Sequence, residues 1–134
     1  MKVIVCIDDK DGMLFANRRQ SRDRELIKDV LAMCGNSKLW ITPYSLSLFE
    51  GEEDKVVVDE QMLDKAESED YCFVETKELA TYEDTIEQLI VYHWNRVYPA
   101  DRYFDIEYQT WKLMETKEIE GYSHEKITKE IYER

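Results

Sequence analysis

The densest group of chemically capable side chains lies between residues 18 and 28, RRQSRDRELIK. Arg18, Arg19, Arg22, Arg24 and Lys28 form the one basic cluster of an acidic chain. Guanidinium groups offer paired donors to a carboxylate or phosphate, and a helix N-terminus adds its dipole to that attraction. The same residues interleave with Asp23, Glu25 and Asp29, so pairing along the helix is the competing use. Glu25 is the candidate proton donor, because a carboxyl shut in a pocket has its pKa raised and can hold a proton at neutral pH. Outside a pocket, a glutamate in a first helical turn is favoured by the dipole alone. Asp8, Arg18, Arg19, Arg22 and Ser45 make up the candidate ligand-binding set.

Other constellations fall short of known chemistries. Asp8, Asp9, Asp11 and Gly12 resemble half a calcium loop, but that loop needs an acidic residue where Ile7 stands and a glutamate where Arg18 stands. A weak magnesium site through Asp8 or Asp9 is the remaining metal option, and the set of expected metal ligands is otherwise empty. His93 falls among Ile86, Leu89 and Ile90 and reads as a satisfied, half-buried histidine. His124 sits beside Glu125 with no Cys, Asp or second His near it in the chain, which argues against zinc. Ser45 and Ser47 lack the Gly-x-Ser-x-Gly elbow of a serine hydrolase. Cys6, Cys34 and Cys72 are odd in number and lack Cys-x-x-Cys spacing, as expected of buried thiols in a reducing compartment.

These residues must be carried by an ordered scaffold. Lys2 to Ile7 reads as a strand covered on both faces, and Asp8 to Gly12 as a turn leading into an Arg-rich loop. Ser21 is the expected N-cap of a helix whose apolar positions are Leu26, Ile27, Val30, Leu31 and Cys34, stopped at Gly35-Asn36. Strands are expected at Leu39–Thr42, Val56–Val58 and Tyr71–Glu75, with short helices at Pro43–Phe49 and Glu60–Ala66. Thr81 and Asp84 form a capping box ahead of Ile86, Leu89, Ile90, His93 and Trp94, which predicts a second long helix ending before Pro99. Tyr103–Ile106 reads as a strand and Trp111–Ile119 as another. Residues 123–134 fit a strand or a helix; a strand closing a hairpin is preferred, because Gly121 to His124 has hairpin-loop composition. The alternation implies a single α/β domain, residues 1–134, with a mostly parallel central sheet, flanking helices and a C-terminal antiparallel hairpin.

Composition bounds the function classes. The chain has 134 residues, is 43% hydrophobic and 12% aromatic, and contains only 4 Gly and 2 Pro, which favours a packed core over disorder. A formal net charge of −12 repels nucleic-acid phosphate and anionic membranes alike. No apolar run is long enough for a bilayer span, and Val3 to Ile7 is too short for a signal peptide's core, so a cytoplasmic location is expected. Tyr92, Trp94, Tyr98, Tyr103, Tyr108 and Trp111 are expected mainly in the core, and any left exposed would mark an interaction surface.

The order of elements is similar to that of the dihydrofolate reductase family. Val5 to Asp8, the acidic turn, Ala16-Asn17 and the helix opening Glu25-Leu26 look like the family's first strand, substrate loop and first helix. On that resemblance Glu25 matches the family's active-site carboxylate, and Ser45, within WITPYSLSLF at 40–49, lies near its threonine. The departures bear on activity. Arg18-Arg19-Gln20 replaces the family's Trp–Pro segment, Thr42-Pro43 replaces the Gly-Arg pair that holds cofactor phosphate, and Glu75-Thr76 replaces its diglycine. A carboxylate at that last place would repel a pyrophosphate. The sequence also resembles a family of small proteins from anaerobic gut bacteria, some of which bear the name ribonuclease Z. That enzyme needs a His-x-His-x-Asp-His zinc cluster, which two isolated histidines do not supply.

Two readings follow. The first is a non-catalytic binding or interaction module on a reductase-like scaffold, with a protein partner whose surface the charge expects to be basic, and no cofactor. The second is an enzyme acting on a small anionic substrate, phosphorylated or carboxylated, in the cleft after the first strand.

Overall fold

The computed structural model describes residues 1–134. Five parallel strands form the heart of the molecule: β1 (Lys2–Ile7), β4 (Leu39–Ile41), β5 (Val57–Val58), β6 (Tyr71–Phe73) and β7 (Gln88–His93). β9 (Lys112–Ile119) and β10 (Ile127–Glu133) add an antiparallel hairpin, giving the order β5-β4-β6-β1-β7-β10-β9. A second sheet of three short strands, β3 (Arg18–Arg19), β2 (Gly12–Phe15) and β8 (Arg102–Tyr103), lies beyond the carboxyl end of β1. The mostly parallel α/β architecture with a closing hairpin agrees with the sequence reading.

Alternation along the central strands sorts the core into two layers. Val3, Val5 and Ile7 of β1 face one layer, with Leu89 and Val91 of β7, Met62, Leu79, Phe104 and Trp111. Ile4 of β1 faces the other, with Ile90 and Tyr92, Phe73, and the buried stripe Leu26, Val30 and Cys34 of α1 (Arg24–Cys34). Each fully buried aliphatic side chain contributes about 1.5–3 kcal/mol. Asp29 locks α1 to the sheet: it accepts from Tyr92 Oη (2.7 Å), Lys117 Nζ (2.8 Å) and Lys129 Nζ (2.9 Å). Lys129 is itself buried, so its charge is neutralised inside the molecule. Burial pushes the Asp29 carboxyl up, but its bonds to Lys117, Tyr92 and Lys129 outweigh that and hold it below its ordinary range.

Three local expectations are corrected. No long helix runs from Thr81 to Trp94: Ala80–Thr85 is a short 3-10 turn and Gln88–His93 is strand β7, between β1 and β10. Leu89 to Tyr92 is buried throughout, so the helical spacing was a subset of a continuous apolar run covered on both faces. The Arg-rich loop is part of a hairpin, in which Ala16 (φ 50°) and Asn17 (φ 62°) turn β2 into β3. Two consecutive left-handed residues match the right-handed twist of the strands they join. The cap of α1 is Asp23, not Ser21, and its Oδ1 accepts from Glu25 N at 2.9 Å. The strand alternative for residues 123–134 holds, as β10. No helix is long and apolar enough to cross a membrane.

Candidate functional site

A cleft opens where the carboxyl ends of β1 and β6 meet the β3 hairpin and the N-terminus of α1. Its walls include Cys6, Arg19, Ser21, Leu26, Glu75 and Trp94. Its interior volume is about 20 Å³, room for little more than one water.

The filling is a polar knot. Arg19 Nε and Nη2 donate to the two oxygens of Glu75, at 2.9 and 3.1 Å. Ser45, fully buried, donates to Glu75 Oε1 at 2.7 Å, and Arg19 also reaches the Tyr44 carbonyl at 3.2 Å. A forked guanidinium–carboxylate pair is among the stronger polar contacts, and here it spends both partners on each other. Burial lowers the Arg19 pKa, but the bonds to Glu75 outweigh it and keep the guanidinium charged. Burial first, then the charge of Glu75, pushes the neighbouring Cys6 thiol well up, which disfavours its thiolate. Cys34 and Cys72 are pushed up to about 12 by burial.

The other candidates are dispersed. Asp8 is buried and organises backbone: Oδ1 accepts from Lys10 N and Gly12 N, both at 2.8 Å, and Oδ2 from Gln20 Nε2 and Tyr98 N, both at 3.1 Å. Those donors outweigh the opposing effect of burial and hold its carboxyl below the ordinary range. Glu25 is absent from the cleft wall and pairs with Lys28 at 3.2 Å on the surface of α1. Arg18 and Arg22 are exposed, and Arg22 borders the cleft. The structure therefore brings Arg19 and Ser45 together through Glu75 and leaves Asp8, Arg18 and Glu25 apart from them. Of the pairings expected between this basic cluster and Asp23, Glu25 and Asp29, Lys28 with Glu25 forms and none of the arginines takes part; Asp23 takes His124, and Asp29 takes Lys117 and Lys129. Nor are three or more His, Cys, Asp or Glu side chains gathered in a way that would hold a metal ion.

A constellation that sequence reasoning missed lies at the mouth of the cleft. His124 is buried in the loop between β9 and β10, and its Nδ1 lies 2.9 Å from Asp23 Oδ2. Its Nε2 lies 2.8 Å from Ser21 Oγ and 3.3 Å from Tyr98 Oη. The ring stacks on Trp94 at 4.6 Å, which fixes its plane. Asp23 is fully enclosed and accepts backbone N–H bonds from Glu25, Tyr122, Ser123 and His124. Burial alone would raise its pKa; the Tyr122 N–H, His124 and the remaining donors reverse that and hold the carboxyl far below its ordinary range. Gly121 permits the loop to close this tightly, since a Cβ there would stand 2.5 Å from the His124 carbonyl and 2.8 Å from Asp23 Oδ2. Asp23 and His124 are 101 positions apart, so no local motif announces the contact.

No protein-family model matches the chain, and no curated protein sequence matches it. Among solved structures, dihydrofolate reductase from Enterococcus faecalis, complexed with NADP(H) and RAB-propyl, superposes with a TM-score of 0.66. The match covers 99% of this chain and 95% of that one at 12% identity. The fold is dihydrofolate reductase-like. Identity this low speaks for the scaffold and carries no chemistry with it. The sequence resemblance set Glu75 against the family's diglycine and Arg19 within the segment that replaces its Trp–Pro. The two departures are one feature, because they are bonded to each other.

Proposed function

We propose that this chain is an interaction module that has left nicotinamide chemistry behind, and that its partner adds a basic, extended segment to the free edge of β9. The observation that supports the first half is the filled cleft: Arg19, Glu75 and Ser45 are bonded to one another near the carboxyl ends of the central strands, the side on which open α/β sheets bind ligands. Support for the second half comes from β9 itself. It has β10 as its single neighbour, its residues Lys112 to Glu118 are exposed, and Leu113 and Met114, at a bulge in the pairing with β10, are 48% and 49% exposed. An open edge offers unpaired backbone donors and acceptors, which an added strand satisfies. The net charge of −12 favours a basic partner by long-range attraction.

Two measurements test this. Titration with NADPH, followed by nucleotide fluorescence, should give no saturable binding; saturable binding with turnover of dihydrofolate would refute the reading. Affinity capture with the native chain and with a Leu113→Glu, Met114→Glu double variant should differ in one salt-sensitive partner. Hydrogen exchange of the complex should then show new protection confined to β9. Protection elsewhere would refute the edge as the docking element.

A further inference from the structure

We infer that Ser21, His124 and Asp23 form a nucleophilic triad that cleaves small acetyl esters of anionic alcohols or phenols, an activity that goes beyond the interaction reading and stands independently of it. The geometry has each required part. A nucleophile needs a base within hydrogen-bond reach, and the base needs an orienting group. Ser21 Oγ to His124 Nε2 is 2.8 Å, and His124 Nδ1 to Asp23 Oδ2 is 2.9 Å. With Nδ1–H given to the carboxylate, Nε2 is left to accept the serine proton. The carboxylate is enclosed and kept ionised by its backbone donors, and Trp94 holds the ring. Arg24 opens α1 three residues after Ser21, and its N–H is one of the donors a helix N-terminus leaves without an intrahelical partner, available to an oxyanion. The buried Oε1 of Gln20, a residue of the same cleft wall, is also unpartnered and offers an acceptor to an attacking water.

The chemistry balances without another reactant. Ser21 Oγ bonds to the ester carbonyl carbon while its proton passes to His124 Nε2. The tetrahedral intermediate collapses, the carbon–oxygen bond to the leaving group breaks, and that oxygen takes the proton from His124. Water then attacks the acyl carbon, gives a proton to His124, and Ser21 Oγ leaves and recovers it. The products are acetate and the alcohol or phenol. The cleft of about 20 Å³ beside Ser21 takes one water-sized group, which limits the acyl substituent to the methyl of an acetyl ester. Arg22, exposed and at the cleft mouth, sets the preference for a negative leaving group.

The probes are 4-nitrophenyl acetate and its carboxylated relative 3-acetoxy-4-nitrobenzoate, with mass spectrometry of the trapped protein. The expected result is acetylation at Ser21, faster release from the carboxylated ester, and loss of that preference in Arg22→Ala. Ser21→Ala should lower the rate about a thousandfold or to background, with an unchanged thermal midpoint. His124→Asn should do the same where it folds, and Ser21→Cys should still acylate should it not. Equal rates in native and Ser21→Ala protein, or acetyl groups found only on lysines, would overturn the inference.

Discussion

Asp23 does three things with one carboxylate: it caps α1, closes the loop between β9 and β10, and orients His124. Removing it strands several buried donors at once. Asp23→Ala should therefore cost about 3 kcal/mol or more in a urea titration, well above the ~1 kcal/mol of an ordinary cap. The acid response follows from the same group together with Asp8 and Asp29. All three have folded-state pKa values below the ordinary 3.8. A depressed carboxylate stabilises the fold above its unfolded pKa, and that contribution disappears as pH falls through the folded value. Urea midpoints should stay level from neutral pH to about 5 and then fall steadily as acid is added. An Asp23→Asn, Asp29→Asn double variant should start lower and show a shallower acid slope; an unchanged slope would remove these two groups from the account.

At the scale of elements, the hairpin between β2 and β3 holds Ala16 at φ 50°, which an L-residue with a Cβ resists. Ala16→Asn with Asn17→Gly supplies the residues that such a turn prefers and should raise stability by about 1 kcal/mol, read from thermal unfolding. Much of the architecture was legible because β1 is a short β-branched apolar run, α1 carries a clear helical period, and the loop composition of Gly121 to His124 decided for a strand in a tail that fits strand or helix. β7 was not, since Leu89-Ile90-Val91-Tyr92 satisfies a helical and a fully buried strand pattern equally, and its neighbours decide between them. The site was legible only in part. Arg19 and Ser45 were singled out, but their meeting point, Glu75, read only as a missing glycine. The Ser21–His124–Asp23 contact depends on a tertiary closure that brings the β9–β10 loop onto the start of α1.

Over the whole molecule, 30 acidic against 18 basic side chains leave a self-repelling surface. Screening shortens the reach of that repulsion to about 8 Å at 0.15 M salt. The thermal midpoint should rise as sodium chloride is added from very low ionic strength; a fall would mean that the ion pairs outweigh the net charge. The Arg19–Glu75–Ser45 knot joins three distant parts of the chain, and either charge alone would be left without its partner in a largely enclosed space. Arg19→Met and Glu75→Gln should each destabilise by more than the double variant suggests, with a coupling of about 1–3 kcal/mol in a double-mutant cycle. That coupling also constrains descent. A sequence that acquired the carboxylate first, or lost the guanidinium first, would pass through a poorly folded intermediate. In proteins related to this one, Arg19 and Glu75 should therefore be inherited and discarded as a pair, so that a single glance at position 75 tells whether the cleft of a given relative is open or shut.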